Sequence, residues 1–163
     1  RQTIVELWRQ LLAQGHQGCL QPCGLGARDT LRTEMGYPLY GHELSDQISP
    51  LEAGLGFFVK LSKSDFVGRD ALVQQKEDGI KRRSVAFRMV GKAPPPRPDY
   101  PVWFGGNQVG VTTSGSVSPC LKTGIGLAMV DIATPRVDAS IEIEIRGRRY
   151  PAVTAKKPIY SEN

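Results

Sequence analysis

The sequence is poor in the residues that build metal centres and disulfide frameworks. Among 163 residues there are three cysteines and two histidines. An odd number of cysteines leaves at least one unpaired, which argues against a secreted disulfide scaffold. Cys19 and Cys23, four apart in CLQPC, offer half of a zinc site. His16 and His42 do not form the second ligand pair that such a site needs, so no metal is expected. The cysteines then read as reduced, buried thiols. No run of 18 apolar residues occurs, so no transmembrane helix is expected. The opening RQTIVELWRQLL lacks the basic region and apolar core of a secretory signal. Aromatics make up only 7% and interleave poorly with Lys and Arg, which gives only weak support to a base-stacking nucleic-acid surface. Phosphate-loop and nucleophile-elbow patterns are missing too: GLGAR at Gly24 has the wrong spacing for GxGxxG, and TSGS has the wrong glycines for GxSxG.

Turn residues, by contrast, are plentiful, with 18 glycines and 12 prolines. They imply many turns and short strands. A chain of this length buries roughly 70% of its unfolded surface, enough to fold without covalent staples. Charge is spread unevenly. Residues 1–80 hold 8 Lys/Arg and 10 Asp/Glu, a balance of −2, whereas residues 81–163 hold 13 and 6, a balance of +7. A basic half suits an acidic partner or polyanionic ligand; the plainer reading is a solvated surface.

Hydrophobic periodicity divides the chain near residue 80. Ile4, Val5, Trp8, Leu11 and Leu12 lie on one helical face, which Gly15 ends. A second helix is expected from about Leu25 to Met35, stopped by Gly36, and a third from about Gly68 to Glu77. Between them, Leu51 to Leu61 reads as an extended segment whose glycines permit close backbone approach. After Gly79 come six β-type runs: Ser84–Val90, Val102–Phe104, Gln108–Thr113, Gly124–Val130, Ile141–Ile145 and Tyr150–Ala155. They are separated by clusters such as GKAPPPRPDYP and TSGSVSP. Six short strands in so few residues predict a small barrel or sandwich, so the fold class is α+β.

Arg28 and Arg32 are the most informative side chains. One helical turn apart, they can jointly present donors to a carboxylate or to ring acceptors. The alternative is local ion pairing, since Asp29 lies three residues before Arg32.

The ordered motifs PCGLGARDTLRTEMGYPLYGHEL, SPLEAGLGFFV and DFVGRDAL resemble the aminomethyltransferase (T-protein) family of the glycine cleavage system. YPVW, QVGVTTSG, SVSPCL, IGLAMV and IRGRRYPAVTAKKPIY follow in the family's order. The resemblance covers about residues 5–160 and implies the C-terminal portion of a longer enzyme. Residues 1–80 would end a mixed α/β folate-binding domain, and residues 81–163 would form a small all-β barrel. Implied also is the reaction: transfer of a methylene from a lipoyl-bound aminomethyl group on a carrier (H-protein) to tetrahydrofolate, with release of ammonia. The family's catalytic aspartate belongs to the preceding portion, and none of Asp29, Asp46 or Asp65 matches it. No catalytic residue is therefore expected here, and the fragment alone would be inactive. Arg28, the arginine of GLGARD, matches a folate-binding arginine of the family; Tyr37 is a second candidate for that pocket, with core packing as its other reading. The expected partners are the lipoyl carrier and tetrahydrofolate, without nucleic acid, membrane or metal. The expected compartment is the bacterial cytoplasm or, in a eukaryote, the mitochondrion. Other readings are a non-catalytic folate- or carrier-binding module, and a folate-dependent relative acting on methylated glycines or modified RNA.

Overall fold

The computed structural model describes residues 2–15 and 20–161. His16 and Cys19 of the half zinc site lie outside the described residues. Three α-helices come first, α1 (Gln2–Gly15), α2 (Leu25–Met35) and α3 (Arg69–Asp78), followed by six strands. These are β1 (Arg82–Met89), β2 (Pro101–Phe104), β3 (Asn107–Ser118), β4 (Thr123–Asp131), β5 (Ser140–Ile145) and β6 (Arg148–Ala155). The class is α+β, as the sequence implies.

The strands close into an antiparallel barrel in the order β1-β4-β3-β2-β5-β6, with β6 returning to pair with β1. Closure gives each of these strands a neighbour on both sides, the β2–β5 contact being the shortest. Ile141, Ile143 and Ile145 are all buried and point into the barrel core with Phe87, Val102 and Val130. Glu142 between them is exposed, the period-two pattern of a half-buried strand. Each such apolar side chain contributes about 1.5–3 kcal/mol on burial. Gly126 of β4 faces the same interior: a Cβ there would stand 2.5 Å from Cζ of Phe87 and 2.3 Å from the Ser114 carbonyl oxygen. The glycine makes room for the ring.

β4 is buried on both sides. Ile125, Leu127 and Met129 alternate with the core-facing Ala128 and Val130, and all are buried. α2 packs against β3 and β4 and so covers the outer face. Helix α2 ends as its sequence dictates. Gly36 adopts φ 71°, and the N–H groups of Gly36 and Tyr37 bond the carbonyls of Thr33 and Arg32. The chain's last segment then ties down this helix end, because the N–H groups of Ile159 and Tyr160 both donate to the Glu34 carbonyl.

Three expectations need correction. TSGS, read as a spacer between strands, lies inside β3, whose small polar residues are buried because α2 and the following loop cover them. Leu51 to Leu61 is not extended: it forms turns and a single 3-10 turn at Gly56–Phe58. Gly54 there serves a left-handed turn at φ 81°, with open space around its Cα, rather than a close approach. Cys23 and Cys120 are exposed, not buried. Cys23 sits in the coil before α2, and Cys120 on the β3–β4 turn. The apolar face of α1 is likewise open, with Ile4, Val5, Trp8 and Leu11 all exposed.

Candidate functional site

α2 presents two arginines with different fates. Arg32 is nearly covered and its guanidinium is fully engaged. Nε and Nη2 donate to Asp29 Oδ1 at 2.8 and 2.5 Å, and Nη1 donates to Glu43 Oε2 at 3.0 Å. Arg28, one turn earlier, is exposed and has no hydrogen bond or ion pair among the described residues. Of the pair, only Arg28 therefore keeps its donors for a ligand. The ion-pair alternative holds for Arg32.

Glu43 is the hub that fixes this helix to the barrel. Its side chain is wholly buried and accepts four hydrogen bonds. Oε2 takes Arg32 Nη1 and the Leu39 N–H, both at 3.0 Å. Oε1 takes the hydroxyls of Thr113 at 2.6 Å and Ser114 at 2.5 Å. Both hydroxyls come from one place because β3 carries a bulge between Thr112 and Ser114. The extra residue breaks the alternation of the strand, so consecutive side chains aim at the same carboxylate. His42 Nδ1 lies 2.9 Å from the Thr113 carbonyl oxygen and so carries the proton in that bond. A buried carboxylate with every acceptor used is a fixed anchor rather than a reactive group.

Tyr37 follows the helix stop and is 59% exposed. It walls a cavity of about 290 Å³ with Met35, Pro38, Leu55 and Lys157. Arg28 does not line that cavity, so the two residues expected to share a pocket are not brought into one here. The chain at Gly36 is held tightly: a Cβ would stand 2.8 Å from Cγ of Lys157. Burial pushes the Lys157 ammonium below its ordinary pKa, with Arg136 adding to the effect and Glu43 opposing it. Lys157 Nζ donates to Ser84 Oγ at 3.2 Å.

Glu52 forms a second link between the two parts of the chain. Its Oε1 accepts from Arg82 Nε at 2.8 Å, its Oε2 from the Ser49 N–H at 2.9 Å, and Arg82 Nη2 also donates to the Gln47 carbonyl. Burial raises the Glu52 carboxyl pKa, but Arg82 and Ser49 together outweigh it and hold the group below its ordinary value.

Asp29 is bound by Arg32, Asp46 accepts the Tyr40 hydroxyl at 2.9 Å, and Asp65 is exposed. Among the described residues, no group of three His, Cys, Asp or Glu is placed to hold a metal ion. No described helix is long and apolar enough to cross a membrane. Sequence reasoning missed Glu43, although it lies in the quoted GHEL motif. Its signal was its distance of eleven residues from Arg32, which only the loop between them converts into contact.

Similarity to known proteins covers nearly the whole chain. Residues 82–161 match the glycine cleavage T-protein C-terminal barrel domain, and residues 1–63 match the GCVT N-terminal domain. An aminomethyltransferase of Symbiobacterium thermophilum is 51% identical over 160 residues, covering 98% of this chain and 42% of the relative. One from Caldanaerobacter subterraneus is 48% identical over 159 residues, with the same coverage of each. The crystal structure of glycine cleavage system aminomethyltransferase T from Bartonella henselae superposes with a TM-score of 0.84 at 25% identity. It matches 93% of this chain and 43% of its own. The chain thus spans less than half the length of these relatives.

Proposed function

Because the chain belongs to the glycine cleavage T-protein family, we propose that it is the C-terminal portion of a folate-dependent aminomethyltransferase. The observation that carries this reading is the order of the matches: the N-terminal-domain profile and then the barrel profile run along one chain. The similar proteins are named aminomethyltransferases, which favours this reading over a non-catalytic module or a relative acting on methylated glycines or RNA. In this reading residues 1–80 complete the folate-binding domain and residues 81–163 are the barrel domain. The whole protein passes the methylene of a lipoyl-bound aminomethyl group to tetrahydrofolate and releases ammonia. The named relatives are bacterial, which favours the bacterial cytoplasm over the mitochondrion as the compartment.

This portion supplies binding and position rather than proton transfer. Arg28 offers a planar fork of N–H donors to the folate, and its donors are unspent. Arg32 and Glu43 spend their polar groups within the protein. They clamp α2 to β3, so that Arg28 projects from a rigid element instead of a mobile one. Tyr37 adds an aromatic wall beside the helix end. The carboxylate that manages the iminium charge of the reaction lies in the preceding portion of the enzyme. The basic barrel half meets the acidic carrier.

The test is Arg28→Ala in the full-length protein, with tetrahydrofolate binding measured by calorimetry. Losing a charged hydrogen bond costs about 1.5–3 kcal/mol, a loss of about ten- to hundredfold in affinity. Unchanged affinity would remove Arg28 from the site.

A further inference from the structure

A second cavity, of about 260 Å³, opens between the barrel and the segment before it. Its lining gathers cations from three separate parts of the chain: Arg83 of β1, Arg136 of the β4–β5 loop, and Lys156 and Lys157 beyond β6. Among the described lining residues the one acid is Glu52, and each of its oxygens already accepts one bond, from Arg82 and from the Ser49 N–H. The cations are thus left facing each other. Burial is the larger cause, and repulsion from Arg136 the second, of a lowered pKa at both Arg83 and Lys157, although Glu43 pulls Lys157 back. Among the described residues, four cations and one carboxylate line one space, an excess of like charge that an entering anion would relieve.

The donors are also incomplete. Arg83 Nη2 donates to the Thr134 carbonyl, which fixes the fork, yet Nε is buried and has no acceptor. Lys157 spends one ammonium hydrogen on Ser84 Oγ, which leaves its remaining hydrogens and the Ser84 hydroxyl proton available. A buried donor without an acceptor is rare in native proteins.

We propose that this cavity binds a small oxyanion, a phosphate or a carboxylate, through Arg83, Arg136, Lys157 and the Ser84 hydroxyl. Gly54 and Lys157 line both this cavity and the one beside Tyr37. Among the described residues, Lys157 is thus the one lining cation the two cavities share. The site stands on its own geometry and holds whether or not Arg28 binds folate.

The protein is titrated separately with inorganic phosphate and with glutarate by calorimetry, and its thermal midpoint is followed in both against sodium chloride at matched ionic strength. Saturable binding of either probe at millimolar concentration is expected, and the stronger probe identifies the source of the oxyanion. Arg136→Gln is the diagnostic variant, because Arg136 is exposed and its replacement leaves the core intact. It should weaken binding by about tenfold or more, the effect of one charged hydrogen bond. Lys92→Gln, outside the cavity lining, should bind like the parent. Equal effects of chloride and the two probes, or equal affinity of the Arg136→Gln variant and the parent, would overturn the proposal.

Discussion

Glu43 gives the sharpest energetic test, because two substitutions there separate shape from charge. Glu43→Gln keeps the volume and can keep most of the hydrogen bonds. Its amide oxygen would still accept from Arg32 and the Leu39 N–H, while its NH₂ would face Thr113 and Ser114, whose hydroxyls can turn to accept. What is lost is the charge opposite Arg32, worth about 1.5–3 kcal/mol for a charge-assisted bond. Glu43→Ala removes all four acceptances and leaves Arg32 with Asp29 alone, so the cost rises to about 3–5 kcal/mol. For a chain of this size each kcal/mol moves the thermal midpoint by about 2–4 °C, so Glu43→Ala should lower it by about 6–20 °C. Thermal unfolding followed by circular dichroism measures both variants. The same substitutions in an Arg32→Met background complete a double-mutant cycle, where a coupling of about 0.5–3 kcal/mol is expected. Losses below about 0.5 kcal/mol for both single variants, or zero coupling, would show that the clamp is not what holds α2 to the barrel.

Gly36→Ala should destabilise by about 1–2 kcal/mol from its left-handed φ alone, and more where Lys157 cannot move aside; chemical denaturation reads the loss. Gly126→Ala forces a methyl group onto Phe87 and the Ser114 carbonyl and should cost about 1–3 kcal/mol or more by the same assay. Lys157 makes stability depend on pH in a defined direction. Its pKa is lowered in the folded state, so the penalty of burying the charge is full at low pH and fades as pH rises from the folded pKa towards 10.5. The thermal midpoint of the parent should gain on that of Lys157→Met across this window, and a constant difference between the two would contradict the burial. Carrier association with the full-length enzyme should slow with salt, because exposed charges are screened within about 8 Å at physiological ionic strength. Reversing the exposed Lys81, Arg146 and Arg148 to glutamate should remove part of that dependence, whereas a flat salt response would leave the basic half a solubility feature.

Local rules made some elements legible and left others hidden. α2 is bounded at Leu25 and Met35 because Gly24 and Gly36 bracket a helical run, and the Gly36 stop needs only backbone geometry. β5 follows from three isoleucines at period two, since one face meets a core and the other meets water. β3 was only partly legible. Its second half, Ser114–Ser118, is built from small polar residues that resemble a loop; they belong to a strand because they pair with β4, and Glu43 and Glu34 accept the buried hydroxyls of Ser114 and Ser118 from distant positions. The same limit hid the site. Arg28 and Arg32 look alike along the helix, and what separates them is Glu43, brought beneath one of them by the loop after α2. The cations of the second cavity lie on β1, on the β4–β5 loop and after β6, so no spacing along the chain announces them. Phe57 and Phe58 lie in the segment read as extended, and the structure instead gives them a 3-10 turn with both rings exposed.

The central claim is that this chain carries the folate-facing, non-catalytic part of an aminomethyltransferase. Its most direct test is a single turnover assay with an aminomethylated lipoyl carrier and tetrahydrofolate, reading ammonia release. The full-length protein should release ammonia in a tetrahydrofolate-dependent manner, Arg28→Ala should need about ten- to hundredfold more tetrahydrofolate to do so, and residues 1–163 alone should release none. Release by residues 1–163 alone, or no tetrahydrofolate-dependent release by the full-length protein, would contradict the claim.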